Sequence, residues 1–433
     1  MTHTQRTLTA AMLAASLLTA CSSDDDPVTN ALTSETDSIP SIGTEARSNL
    51  DRINPEVPPA DADTLANDNL RFAFNLYQQA KLAGSDNIFF SPHSISIAMA
   101  MTYAGARTST AEQIATAMQF SLSAEQLPPA FNALDQNLKS NVSDDFQLNI
   151  VNQMWGREGE QWQTEYLDTL AQQYGAGLQE MDFTDQPEQS RVQINDWVAD
   201  VTQDRILDLL PAGSISAATA LVLTNAIYFK ALWRSEFDAG LTHDMDFNLA
   251  DGSTVSVPMM HATESYDYFD GGNYEAIRLP YKQAGLSMIA LVPPTGQFDA
   301  FEQSLDATVF SDAVAGLQSK MVSLGVPKIE YEAPLPLKSH LIELGMPLAF
   351  ADADFSGIRA DGGLFIDDVL HKAFIKVDEK GTEAAAATAV VFAETAAPQA
   401  DVTLNLDRPY VFAIHDESTN AVLFLGRVVN PSS

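Results

Sequence analysis

The stretch Asp378-Glu379-Lys380-Gly381-Thr382-Glu383-Ala384-Ala385-Ala386-Ala387-Thr388-Ala389-Val390-Val391-Phe392-Ala393-Glu394-Thr395-Ala396-Ala397-Pro398 carries two competing local signals. Eight of the fourteen residues at 384–397 are alanine, the best helix former, which suits a surface helix or a linker. Yet Val390, Val391 and Phe392 favour strands, and nothing from 384 to 393 is charged. At a period of two, Thr382, Ala384, Ala386, Thr388, Val390 and Phe392 form one face that is small or apolar throughout, while the other begins with Glu383. A strand with the first face could enter a core and leave Glu383 in water. The segment is therefore compatible with two states, an exposed loop open to proteases and an inserted central strand.

Outward from this stretch the chain reads as mixed α and β. On its carboxyl side, the apolar runs from Tyr410 to Ile414 and from Val422 to Val429 flank Asp416-Glu417-Ser418-Thr419-Asn420, a hairpin signal. On its amino side, the runs at 221–229 and 286–292 are rich in β-formers and read as buried strands. The first third is helical. Leu70, Ala73, Phe74 and Tyr77 fall at helical spacing before Gly84, and Ser91-Pro92 pairs a cap with proline at the first helical position, opening a helix that runs to Gly105. Ser109 and Glu112 have capping-box spacing for a third helix. No repeat or second linker interrupts residues 63–433, which form one domain, whereas 21–62, rich in Ser, Thr, Asp, Glu and Pro, read as an acidic disordered tether.

Composition excludes several function classes. With 23 Lys+Arg against 58 Asp+Glu, the 433-residue chain carries a formal charge of −35, which disfavours nucleic acid and anionic membrane faces. GxSxG, HExxH, Walker and GxGxxG signatures are missing. Asp352, Asp354 and Ser356 resemble the start of a calcium loop, but Gly363 stands where its glutamate belongs, and no metal or cofactor is expected.

The lone cysteine closes a secretion-type segment. Residues 8–20 are 13 apolar and small residues behind Arg6, too short to span a bilayer. Leu18-Thr19-Ala20-Cys21 resembles the lipobox of bacterial lipoproteins, which implies a signal peptide over residues 1–20 and lipid on Cys21. Ser22 and Ser23 after the cysteine lean towards the outer membrane, on its periplasmic or cell-surface face. The alternative is an ordinary cleaved signal and release to the extracellular space.

The stretch at 378–385 belongs to a larger set of motifs: Asn87-Ile88-Phe89-Phe90-Ser91-Pro92, Asn195-Asp196-Trp197-Val198, Leu223-Thr224-Asn225-Ala226-Ile227-Tyr228-Phe229-Lys230, His371-Lys372-Ala373, Asp407-Arg408-Pro409-Tyr410-Val411-Phe412 and Phe424-Leu425-Gly426-Arg427-Val428-Val429-Asn430-Pro431. In this order and spacing, the chain resembles the serpins, the serine protease inhibitor superfamily. The resemblance implies an α+β serpin fold with three β-sheets, eight to nine helices and an exposed reactive-centre loop at about 379–406. It also implies an inhibitor and not an enzyme, acting as a monomer. The target serine protease attacks the loop as a substrate, and the cleaved loop inserts into the central sheet, carrying the covalent acyl complex with it.

Residue roles come with the resemblance. The hinge maps to Glu379, Lys380, Gly381, Thr382, Glu383, Ala384, Ala385, Ala386 and Ala387, with Gly381 permitting the turn and Thr382 the first side chain to be buried. Lys328 matches the salt-bridge partner of Glu379. Ser91, Asn195 and His371 match a polar cluster beneath the opening point of the sheet, and Trp155 the tryptophan near its upper end. Loop spacing places the scissile bond between Thr395 and Ala396, with bonds flanking Glu394 as alternatives. A small residue before the cut suits elastase-like or subtilisin-like proteases, and no Lys or Arg follows Gly381 before Asp407 to suit a trypsin-like one. A non-inhibitory protease substrate, carrier or chaperone, or a cross-class inhibitor of cysteine proteases, are the alternatives.

Overall fold

The computed structural model describes residues 42–84, 86–140, 143, 145–382 and 399–432. Cys21, Glu383, Ala384, Ala385, Ala386, Ala387, Glu394, Thr395 and Ala396 lie outside the described residues.

The helical first third forms as its periodicity predicts. Leu65, Leu70, Ala73, Phe74 and Tyr77 lie buried on one side of helix Pro59–Ala80, which ends in a short 3-10 turn before Gly84. Ser91 caps helix Pro92–Gly105, its hydroxyl accepting the Ser94 amide at 3.1 Å. That helix is buried almost all round, as befits one lying beneath a sheet. The third helix differs from the expectation. It spans Thr108–Ala117, one residue ahead of the Ser109 cap, and no side chain caps it. The Arg107 amide and the Thr108 hydroxyl instead bind Asp354, at 2.8 and 2.9 Å, so a long-range partner displaces the local capping box.

The strands assemble into two hydrogen-bonded sheets. The central sheet runs Thr44–Ala46, Leu178–Met181, Phe146–Arg157, Leu221–Leu232, Gly381–Thr382, Val369–Asp378 and Ile329–Pro336. The second holds nine strands, including the expected hairpin Tyr410–Asp416 and Ala421–Val428, every residue of which is buried. Three sheets were expected. The 17-residue strand Thr254–Asp270 joins two of them, pairing with His243–Asn248 and Gln318–Pro327 along its earlier residues and with Glu275–Pro280 at its end. With nine α-helices among the described residues, the class is α+β.

One large core packs helices Pro59–Ala80 and Pro92–Gly105 between the sheets, a second fills the space between the sheets near the hinge, and a third lies under helix Pro187–Val201. The folded unit also begins earlier than residue 63. Residues 44–46 add a strand to one edge of the central sheet, within a stretch whose composition reads as tether.

Candidate functional site

The two central strands of the first sheet part company halfway along. Val369–Asp378 pairs in parallel with Leu221–Leu232 only from Val369↔Leu223 to Ala373↔Ile227. Further up, the two residues Gly381 and Thr382 lie between them, antiparallel to both: Thr382 opposes Val377 on one side and Ala231 on the other. The chain thus turns back at 379–380 and starts a new strand in the widening gap.

Gly381 is required there for a reason other than turning. A Cβ on it would lie 2.1 Å from the Ala231 carbonyl oxygen, so the hinge approaches its neighbour more closely than any other residue allows. Thr382 is already buried, and its hydroxyl bonds that of Tyr281 at 2.7 Å. Tyr281 stacks on Trp233 with ring centroids 4.6 Å apart. Trp233 in turn donates its amide to the Lys380 carbonyl at 2.7 Å and its indole N–H to the Asp378 carbonyl at 3.0 Å. The Lys328 ammonium binds Glu379 at 2.7 Å, and the Thr242 hydroxyl binds the other carboxylate oxygen at 3.0 Å. Burial raises the Glu379 carboxyl, but these hydrogen bonds outweigh it and hold the group below the usual carboxylate range.

Below the gap, a buried polar cluster ties three strands to the central helix. The Ser91 amide donates to His371 Nε2 at 3.1 Å, which leaves the imidazole proton on Nδ1, facing Asn225 Oδ1. Asn225 Nδ2 donates to Ser94 Oγ at 2.6 Å and to Asn152 Oδ1. The Ser94 hydroxyl reaches the same Asn152 oxygen at 3.1 Å. Burial drives the His371 pKa down to about 3, so the ring is neutral.

Two expected members are elsewhere. Asn195, on helix Pro187–Val201, makes a two-way bond with the backbone of Leu210, at 3.0 and 2.8 Å, and closes the loop below that helix. Trp155 opposes Val222, towards the end of the sheet away from the hinge, and packs edge-on against Trp197 at 5.0 Å. Each is held by its own helix-to-sheet packing. Asn225 and Trp233 occupy the positions assigned to them. Asn225 was legible as an amide within an apolar strand, where burial demands a partner. Trp233 stands beyond the apolar run at 221–229, and its contact with residue 380 depends on a fold-back across the sheet.

A family model described as "Serpin (serine protease inhibitor)" matches residues 67–431. An uncharacterized serpin-like protein of Thermococcus kodakarensis is 39% identical over 83% of this chain and 84% of its own length. Mouse antithrombin-III is 37% identical over 85% of this chain and 82% of its own. The native state of tengpin, a thermophilic serpin, superposes with a TM-score of 0.81 at 28% identity, covering 89% of this chain and 99% of tengpin. The hinge seated in a parted sheet lies inside the matched span, and the chain belongs to the serpin family, a family of protease inhibitors and not of enzymes.

Proposed function

We propose that the protein is a suicide-substrate inhibitor of serine proteases of the elastase-like or subtilisin-like kind. The observation that carries this reading is the pairing of Gly381 and Thr382 with both central strands, because it starts the strand that insertion must complete. The protease serine attacks the carbonyl carbon of Thr395, the amine of Ala396 leaves, and the acyl ester stays on the residue 395 side. Residues 383 onward then follow Thr382 into the gap, each alternate small side chain facing the core and each peptide pairing on two sides. At about 3.3 Å per residue, some fourteen residues carry the ester nearly 50 Å, about the width of a small protease. The seated hinge supplies direction, since the next residue can pair without a new nucleation step.

Cys21 is the proposed lipid site and residues 22–41 the spacer, placing the inhibitor at the outer membrane. Globomycin sensitivity of processing, or its absence, checks that assignment.

A panel of serine proteases scored for SDS-stable complexes of summed mass tests the proposal, with mass spectrometry of the released peptide to locate the cut. A peptide beginning at Ala396, together with a stable complex, is the expected result. Cleavage of the loop by every protease with no complex would mark the protein as a substrate or carrier.

A further inference from the structure

Residues 42–58 take no part in the hinge or the polar cluster, yet they are fastened at several points. Thr44–Ala46 pairs antiparallel with the outer edge of Leu178–Met181, with Thr44 opposite Glu180 and Ala46 opposite Leu178. Gly43, at φ +72°, passes so close that a Cβ would lie 2.4 Å from the Glu180 carbonyl oxygen. Beyond the strand, the Arg47 guanidinium donates to the Gly175 carbonyl at 3.1 Å. Arg52 then reaches into helix Leu127–Ser140, its Nε binding Asn132 at 2.8 Å and its Nη2 binding Asp135 at 2.7 Å. The Ile53 carbonyl accepts from both Asn132 and Gln136 at 2.9 Å, and its amide donates to the Gln172 carbonyl at 3.0 Å. Asn132 and Asp135 are buried beneath this segment, which supplies part of their bonding; Lys139 also pairs with Asp135 at 3.0 Å, and Gln136 donates to Asn132 at 2.8 Å.

The two ends of this segment belong to parts that insertion must separate. For a full strand to enter, Leu221–Leu232 must move away from Val369–Asp378 by one strand spacing, about 4.8 Å. Phe146–Arg157, Leu178–Met181 and Thr44–Ala46 are hydrogen-bonded to that strand in series and must shift with it. Helix Pro59–Ala80, where the segment ends, is fixed to the other side of the molecule. Its Tyr77 hydroxyl binds the buried Glu302 at 2.5 Å, and Glu302 also pairs with Arg427 of the second sheet at 2.7 Å. Helix Leu127–Ser140 packs against the same helix. Residues 47–58 span the shift on the side of the sheet away from the parting line, and Arg52 and Ile53 pin them midway.

We infer that this amino-terminal strap is a brake on loop insertion, holding the mobile flank of the central sheet in its closed position. It therefore governs how fast a cleaved loop enters and how long an intact loop stays out. The inference rests on the insertion reading above.

The test uses the full chain with Arg52→Ala, which removes the mid-strap clasp, and Glu45→Pro, which removes an amide and spoils the edge strand. Conversion of the intact protein to an uncleaved, inserted and inactive form is followed on native gels at a fixed temperature. Each variant is expected to convert roughly tenfold faster than wild type, the rate equivalent of about 1.4 kcal/mol of lost restraint. The loop-cleaved variants should melt with cleaved wild type, because the brake is spent once the strand is in. Conversion at the wild-type rate would overturn the brake. So would cleaved variants that melt lower by as much as the intact ones do, since that pattern belongs to a contact that merely adds stability. If cleaved wild type melts no higher than intact wild type, the insertion reading itself fails, and that outcome is separate from both.

Discussion

His371 shows how much one side chain can be asked to hold. Its two ring nitrogens join the cap of the central helix, through the Ser91 amide, to Asn225 on the strand across the parting line. Only the neutral ring can do this, since a proton on Nε2 would face a donor. The folded pKa of about 3 lies below the ordinary 6.5, so the folded state binds fewer protons than the unfolded one between those values. The stabilisation is complete above pH 6.5 and is lost as pH falls towards 3, at up to about 1.4 kcal/mol per unit. His93, lowered to about 4 by burial, acts in the same direction. Denaturant melts of His371→Gln should therefore show a flatter loss of stability between pH 6.5 and 4 than wild type; parallel curves would contradict this account. Asn225→Ala strands the His371 Nδ1–H and removes a donor from Asn152 and Ser94, and should lower the stability of the intact protein by about 2–3 kcal/mol. Thr382→Arg places a charge in the slot beside Tyr281. Burying it without a partner costs several kcal/mol, so the variant should be cleaved by the target protease without forming a stable complex.

At the scale of elements, the hinge strand is two residues long and held mostly by what surrounds it. The Trp233–Tyr281 stack covers it, Lys328 and Thr242 fix its stem, and the Ala231 carbonyl leaves no room for a side chain at 381. Gly381→Val should expel this strand from the gap while leaving its neighbours paired below Ala373. Trp233 then loses its bonds to residues 378 and 380 and becomes more solvated, so a red shift of tryptophan emission is the expected signature. Emission identical to wild type would mean that the hinge tolerates the side chain. Lys328→Ala acts more weakly, because the ammonium is partly exposed and such pairs contribute about 1 kcal/mol or less.

For the molecule as a whole, the intact sheet leaves unused pairing capacity where its two central strands part. A cleaved loop of about a dozen residues that pairs on both sides adds hydrogen bonds at a net gain of about 1 kcal/mol each. For a domain of this size, where 1 kcal/mol corresponds to about 2 °C, cleavage should raise the melting temperature by about 20 °C. Scanning calorimetry of intact and cleaved protein checks this, and equal melting temperatures would contradict insertion. The negative charge acts at this scale too. It disfavours acidic partners and favours approach by proteases with basic surfaces, so association should slow as salt rises.

Periodicity, capping residues and β-rich runs in the sequence were enough to place the early helices, the central strands and the last hairpin, because those signals are local. The motif order and the alanine-rich loop were enough for the family, because the small alternating face of that loop has few other uses. Motif matching did not select Asn225 over Asn195, since both stand in family-like stretches, and nothing local set Trp233 above Trp155. Their roles depend on which residue faces the parting line, a matter of strand register and of which end of the sheet the hinge folds back upon. The same holds for Gly381, whose necessity lies in a carbonyl about 150 residues earlier in the chain. Residues 42–58 read as tether because composition counts charges and prolines. Their place in the fold was settled by single partners, Asn132, Asp135 and Gln172, that only the folded chain brings within reach.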